Sequence, residues 1–294
     1  MARTTANGIE IEYESFGPAS GAETVLLIMG LGAQLTLWPV ELCNALVARG
    51  YRVVRYDNRD VGLSTKFDGA VAPDLPTLLG AMMAGQDPKV PYSLEDMAAD
   101  AIGLLDALGI DKAHIVGASM GGMIAQVVAI EYPARTLSLT SIMSTTGNPM
   151  LPPASPEAMG ALLGRPESND VDTLVDFGVK VARAIGSPKY PADEALLRAR
   201  VRRDVDRSVY PAGFARQLAA IYANGDRRAR LATIKAPTLV IHGEADPLVP
   251  VHGGRDTAAN IPGAELVEIE GMGHDLPVPL VEQIADAIDK VAKR

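Results

Sequence analysis

Seven consecutive residues constrain this chain more than any others: Val116-Gly117-Ala118-Ser119-Met120-Gly121-Gly122. Upstream, Ala113-His114-Ile115-Val116 is a short apolar run with the character of a buried strand. Downstream, Met120 to Tyr132 is apolar and small, with helical character. A serine at the centre of Gly-x-Ser-x-Gly, between a strand and a helix, marks a sharp turn that lifts its hydroxyl clear of a sheet. Gly117 and Gly121 have no Cβ, so strand and helix can close on each other around that turn. The helix start also aims free N–H groups at any anion forming beside the serine. The bland alternative, a glycine-rich turn with an incidental serine, is disfavoured by the flanking strand and helix.

The rest of the chain must supply a sheet for this turn. Its 294 residues leave room for one large α/β domain with an insertion. A net charge of −9 disfavours nucleic acid and anionic membrane surfaces as partners. Cys43 is the only cysteine, so no intrachain disulfide can form, and it reads as a core hydrophobe. No apolar run approaches the length that spans a bilayer, so no membrane insertion is expected. The opening Met-Ala-Arg-Thr-Thr-Ala-Asn lacks the apolar stretch of a signal peptide, and a cytoplasmic location is the expectation.

Ile9, Ile11 and Tyr13 alternate with glutamates, the period of a half-buried strand near a sheet edge. Thr24 to Met29 is continuously apolar, as a strand buried on both faces requires, and runs into Gly30-Leu31-Gly32. Pro39 to Arg49 reads as a helix closed by Gly50. Arg52 to Tyr56 is the next strand. The polar turn after it, Asp57 to Ser64, suits internal hydrogen bonds and ion pairs better than a ligand. Residues 67–92, with four prolines, read mostly as loop, with a short helix at Leu78 to Met83. Ser93 and Asp96 resemble a capping box for a helix whose apolar face includes Leu94, Met97, Ala101, Leu104, Leu105 and Leu108.

Leu137 to Met143 is a strand, after which the character changes. From Gly147 to about Arg230 there is no β-rich run, and prolines at 149, 152, 153 and 156 mark a connector. Helices are expected at Val171–Ile185, Asp193–Asp206 and Pro211–Tyr222. Arg198, Arg200, Arg202 and Arg203, interleaved with Asp204 and Asp206, read as a solvated face. Strand character returns at Pro237–His242 and Ala264–Ile269, with a short helix at Gly254–Asn260 and an amphipathic one at Pro279–Val291. Strands alternating with helices imply a mostly parallel sheet covered on both faces. The expected organisation is a core at 1–144 and 231–294 and a helical cap inserted at 145–230.

A serine hydroxyl needs a base to act as a nucleophile near neutral pH, and histidine suits that role. Of the four histidines, His114 and His242 lie in strands and His252 at a helix start, and all three read as structural. His274 lies in a loop after the last strand, between Gly273 and Asp275, and is the candidate base. The base needs a carboxylate to fix its tautomer. Asp246, just beyond a strand and before Pro247, is the candidate, because catalytic groups of parallel sheets gather beyond the strands' carboxyl ends. Glu244 is the reserve; Asp275 would have to fold back on its own loop.

The order Ser119, Asp246, His274 is that of an α/β-hydrolase sheet. Over essentially its whole length the sequence resembles the α/β-hydrolase fold superfamily. The matching stretches are Leu-Leu-Ile-Met-Gly-Leu-Gly, Tyr-Asp-Asn-Arg-Asp-Val-Gly-Leu-Ser, Val-Gly-Ala-Ser-Met-Gly-Gly, Gly-Glu-Ala-Asp-Pro-Leu-Val-Pro and Gly-Met-Gly-His. Within it, the chain is similar to bacterial esterases grouped with aclacinomycin methylesterase, which likewise carry Met-Gly where many relatives have His-Gly. The resemblance implies an oxyanion hole made by the N–H groups of Met120 and Leu31. Backbone donors there survive the change of histidine to Met29.

The resemblance implies hydrolysis of a small-molecule carboxylic ester through an acyl-enzyme, with no metal or organic cofactor. Met150, Leu162, Leu163, Phe177 and Phe214 are candidates to line the substrate pocket under the cap, with cap core as their equal alternative. Perhydrolases and C–C bond hydrolases use the same triad and are the rival enzymes; Leu31, where many perhydrolases have a large aromatic, disfavours the first. A non-catalytic binding protein on this fold is the remote rival, opposed by the intact triad.

Overall fold

The computed structural model describes residues 1–294, apart from the side chains of Leu75 and Met82. One sheet holds eight strands: β1 (Ala2–Ala6), β2 (Ile9–Phe16), β3 (Thr24–Ile28), β4 (Arg52–Tyr56), β5 (Ala113–Ala118), β6 (Thr136–Ile142), β7 (Thr238–Gly243) and β8 (Glu265–Ile269). Their order across the sheet is β1-β2-β4-β3-β5-β6-β7-β8. Strand β2 pairs antiparallel with β1 and β4, and the pairs from β4 through β8 are parallel.

The sheet's period of two sorts its side chains into two cores. Along β3, Leu26 and Ile28 enter one cluster, and Val25 and Leu27 enter the other. The first is covered by α3 (Leu94–Ala107) and α4 (Met120–Glu131), the second by α1 (Val40–Ala48) and α11 (Val281–Ala292). Helix α3 begins with the expected capping box: Ser93 Oγ accepts from Asp96 N–H at 3.2 Å and Ser93 N–H donates to Asp96 Oδ2 at 2.8 Å. Cys43 is fully buried in the second core, and burial pushes its thiol up to about 12, so it is inert there.

Strand β1 and the helix over Pro156–Leu163 are among the elements that lie outside the sequence reading. Strand β1 has no apolar alternation and forms only by pairing with β2 along the sheet edge. Helix α5 (Pro156–Leu163) replaces part of the expected connector: Pro156 sits in its first turn, and Ser155 Oγ accepts from Ala158 N–H at 3.1 Å. Helix α2 (Leu75–Met83) starts three residues earlier than expected.

Between β6 and β7 the chain is helical: α5, α6 (Val171–Ile185), α7 (Glu194–Arg207), α8 (Pro211–Asn224) and the short α9 (Arg228–Leu231), which straddles residue 230. The arginines of α7 are not uniformly solvated. Arg198 and Arg202 form exposed pairs with Asp176 and Asp206, but Arg200 is half-buried and Arg207 pairs with the fully buried Asp57 at 2.7 Å. Arg216 of α8 likewise pairs with the buried Asp60 at 2.7 Å, and Arg59 with Asp100 of α3 at 2.6 Å. The polar turn after β4 is thus spent on internal ion pairs, two of which hold α7 and α8. Among the described residues, no helix is long and apolar enough to cross a membrane. Helix α10 (His252–Asn260) starts two residues before its expected Gly254, and exposed His252 opens it.

Candidate active site

The turn after β5 is as tight as its glycines require. A Cβ on Gly117 would collide with the carbonyl of Gly121, and one on Gly121 would collide with that of Ile28. Ser119 itself sits at φ 57° and ψ −123°, in the left-handed half of the map that a non-glycine residue rarely adopts. Its N–H is anchored to Ile142 O at 2.9 Å, and its own carbonyl accepts from Gly122 and Met123 as α4 begins. Gly117→Ala is therefore expected to destabilise the protein by at least about 2 kcal/mol, because the clash is with backbone that cannot rotate away. A denaturant midpoint equal to wild type would refute that reading.

Three loops at the carboxyl ends of the strands meet at Ser119. His274, after β8, brings Nε2 to 3.0 Å from Ser119 Oγ and Nδ1 to 2.7 Å from Asp246 Oδ2. Asp246, after β7, is buried, and its Oδ1 accepts the N–H groups of Leu248 and Val249 at 2.9 and 2.8 Å. Burial works against its charge. The charge of His274, hydrogen bonds from His242 and His274 and that from Val249 N–H prevail, holding the carboxyl well below the usual carboxylate range. A depressed value means that ionised Asp246 stabilises the fold above the unfolded carboxylate range and that this contribution is lost as pH falls toward the folded value. The stability gap between wild type and Asp246→Asn is therefore expected to narrow below about pH 4. Urea unfolding from pH 3 to 7 measures it, and a gap that widens toward acid would reverse the sign.

The other titratable candidates fall elsewhere. Glu244 is exposed. Asp275 hydrogen-bonds Ser187 instead of His274, and burial raises its carboxyl. His114 is buried between Ser138 Oγ at 2.9 Å and Glu23 Oε2 at 3.2 Å. His242, at the carboxyl end of its strand, lies near the site: its Nε2 is 2.7 Å from Val249 O and 3.5 Å from Asp246 Oδ2, so it abuts the acid. A polar side chain four residues before the acid, on an apolar strand, was the available signal.

Leu31 lies on the loop beside the serine. A Cβ on its neighbour Gly30 would stand 3.0 Å from Ser119 Cβ. Residues 30–33 form a turn closed by Ala33 N–H to Gly30 O at 3.3 Å, with Gly32 at φ 65°. Among the described residues, neither Leu31 N–H nor Met120 N–H has a protein acceptor.

The five expected pocket residues are not gathered. Met150 is 85% exposed and Leu163 39% exposed, so neither lines an enclosed site; Met150 sits in a proline-rich connector and Leu163 on the outward side of the last turn of α5. Leu162 is half-buried on α5, and Phe177 lies beside Gly164 at the end of that helix. Phe214 alone reaches a loop of the site: a Cβ on Gly32 would stand 2.8 Å from its ring. An open groove of about 370 Å³ between α6 and α7, lined by Asp172, Val175, Ala195, Arg198, Ala199 and Arg202, includes none of the five. Among the described residues, no group of three or more His, Cys, Asp or Glu side chains could hold a metal ion.

The fold has known counterparts. Residues 23–278 match the family model described as the alpha/beta hydrolase fold, and the chain belongs to that family. It is 31% identical to rhodomycin D methylesterase DauP of Streptomyces sp. (strain C5), over 97% of this chain and 95% of that protein. It is also 31% identical to 2-hydroxy-6-oxononadienedioate/2-hydroxy-6-oxononatrienedioate hydrolase 1 of Dechloromonas aromatica (strain RCB), over 90% and 84% of the two chains. The crystal structure of the enol-lactonase from Burkholderia xenovorans LB400 superposes with a TM-score of 0.75 at 25% identity, covering 100% of both chains.

Proposed function

We propose that the chain is a serine hydrolase that cleaves a small-molecule carboxylic ester through an acyl-enzyme. The observation that carries this reading is the unbroken relay from Ser119 Oγ through His274 to Asp246, at 3.0 and 2.7 Å, on a strained turn at the sheet's carboxyl end. Ser119 Oγ attacks the ester carbonyl as His274 Nε2 takes its proton. Asp246 holds Nδ1–H and balances the charge of the imidazolium. The N–H groups of Leu31 and Met120 receive the oxyanion. His274 then protonates the departing alcohol and, after water enters, activates it to release the acid and free Ser119. The similarity to rhodomycin D methylesterase supports a methyl ester as the substrate class over other acyl compounds. Residues 145–230 serve as the cap, since α7 and α8 are tied to the loops after β3 and β4. The single buried cysteine suits work in the reducing cytoplasm.

A fluorophosphonate probe is expected to label the protein once, on the peptide that carries Ser119, and p-nitrophenyl esters of graded acyl length to be turned over. Labelling elsewhere, or none, would overturn the reading. The similarity to the Dechloromonas hydrolase favours one second reading, carbon–carbon bond cleavage of a 2-hydroxy-6-oxo-dienoate by the same residues. Preference for such a substrate over every ester would install it.

A further inference from the structure

Among the residues that helix α8 buries, Gly213, Arg216, Gln217 and Ala220 recur at helical spacing. Arg216 has its carboxylate, Asp60. Gln217 is 0% exposed and uncharged, and both ends of its amide are used. Its Oε1 accepts the N–H of Gly32 at 2.8 Å, and its Nε2 donates to Arg59 O at 2.8 Å. One side chain of the insertion thus bridges the turn beside Ser119 and the loop after β4.

We propose that Gln217 is a positioning residue that sets the oxyanion donor, an inference that rests on the serine-hydrolase reading above. The donor, Leu31 N–H, belongs to the peptide plane between Gly30 and Leu31. The plane before it is held by Asn58 Nδ2, which donates to Met29 O at 2.8 Å. The plane after it carries Gly32 N–H, held by Gln217. Gly32, at φ 65°, has no side chain to restrain that plane, and a glycine in a turn rotates more freely than other residues. Without Gln217 the plane after the donor is free to swing and the donor to tilt with it. A donor aimed in advance at the developing charge costs no reorganisation during the reaction. The same amide makes that aim depend on α8 being docked, so the insertion contributes to the chemical step as well as to the pocket.

Gln217→Met keeps the length of the side chain and removes both hydrogen bonds. It is expected to lower kcat by at least about tenfold, since a small misplacement of a catalytic group can cost on the order of a hundredfold. KM should stay within about twofold, because ground-state binding does not draw on the oxyanion donor. Affinity for a trifluoromethyl ketone, which adds to the serine and forms an oxyanion, should fall in proportion to kcat/KM. A purely structural role would instead lower the melting temperature without splitting kcat from KM. Unchanged kcat and ketone affinity in a folded Gln217→Met protein would overturn the proposal while leaving the hydrolase reading intact. A wild-type protein that neither turns over esters nor takes fluorophosphonate at Ser119 would overturn both. Wild type also offers a test that needs no variant: Gly32 N–H should exchange at least about a hundredfold more slowly than in an unstructured chain. Unprotected exchange there would show that the amide does not hold the turn.

Discussion

Ser119→Ala is expected to cut ester turnover by at least about a thousandfold while leaving the protein folded, because loss of a triad nucleophile removes covalent catalysis outright. The substitution deletes only Oγ. The residue stays in the left-handed conformation that the turn imposes, at φ 57°, which alanine tolerates no worse than serine. His274 Nε2 loses its partner at 3.0 Å, but Ser119 is half-exposed, so water can take the place of the hydroxyl. Melting temperature should therefore change little. A residual acceleration of about 10³ over water is expected from the oxyanion donors and binding. The informative companion is Ser119→Ala/His274→Ala. Groups that act as one unit are non-additive, so the double variant should lose about as much as either single one. A product of two large, independent losses would break the relay as a unit. A Ser119→Ala protein with a tenth of wild-type turnover would remove Ser119 from the chemistry.

What could be read from sequence follows from how far each feature depends on distant residues. The turn at Ser119 is carried by a short motif: Gly117 is demanded by the carbonyl of Gly121 within the turn, and Gly121 by that of Ile28 on the neighbouring β3. Asp246 and His274 are legible because a parallel sheet places every strand's carboxyl end on one edge. The side chains that hold these loops are less legible: the polar turn from Asp57 to Ser64 is expected to make internal bonds, but nothing local names their partners. Asp57, Asn58 and Gln217 fasten the turn after β3 at Leu35 N–H, Met29 O and Gly32 N–H, across separations of 22, 29 and 185 residues. Arg207 and Arg216, which carry no motif, are spent on two buried aspartates. Pocket residues were the least legible. Met150 and Leu163 are apolar enough to line a pocket, but which way a connector and a short helix turn is decided by packing among helices that share no motif.

That dependence on backbone makes Leu31 the position where side chain and main chain can be separated. Leu31 is the second residue of the turn closed by Ala33 N–H and Gly30 O, and Gly32, the third, has φ 65°. A turn with positive φ at its third residue accepts proline at its second. Leu31→Pro therefore removes the N–H with little strain on the turn, although the ring also restricts Gly30. Removing one oxyanion donor costs about 10²–10³ in turnover, or roughly 3–4 kcal/mol of barrier. Leu31→Pro is expected to lose at least about a hundredfold in kcat with KM little changed. Leu31→Ala is the control. It keeps the donor and trims a half-buried side chain that packs on the core cluster containing Met120 and Ile124. Its cost should appear as lowered stability, about 1–2 kcal/mol, with turnover within a few-fold of wild type. Binding of an unreactive ester isostere, which develops no oxyanion, should be alike in both variants. Equal kinetic losses in the two would place the importance of Leu31 in its side chain. The second donor would then have to be another N–H of the same loop, with Gly32 N–H and Ala33 N–H excluded because Gln217 Oε1 and Gly30 O already accept them.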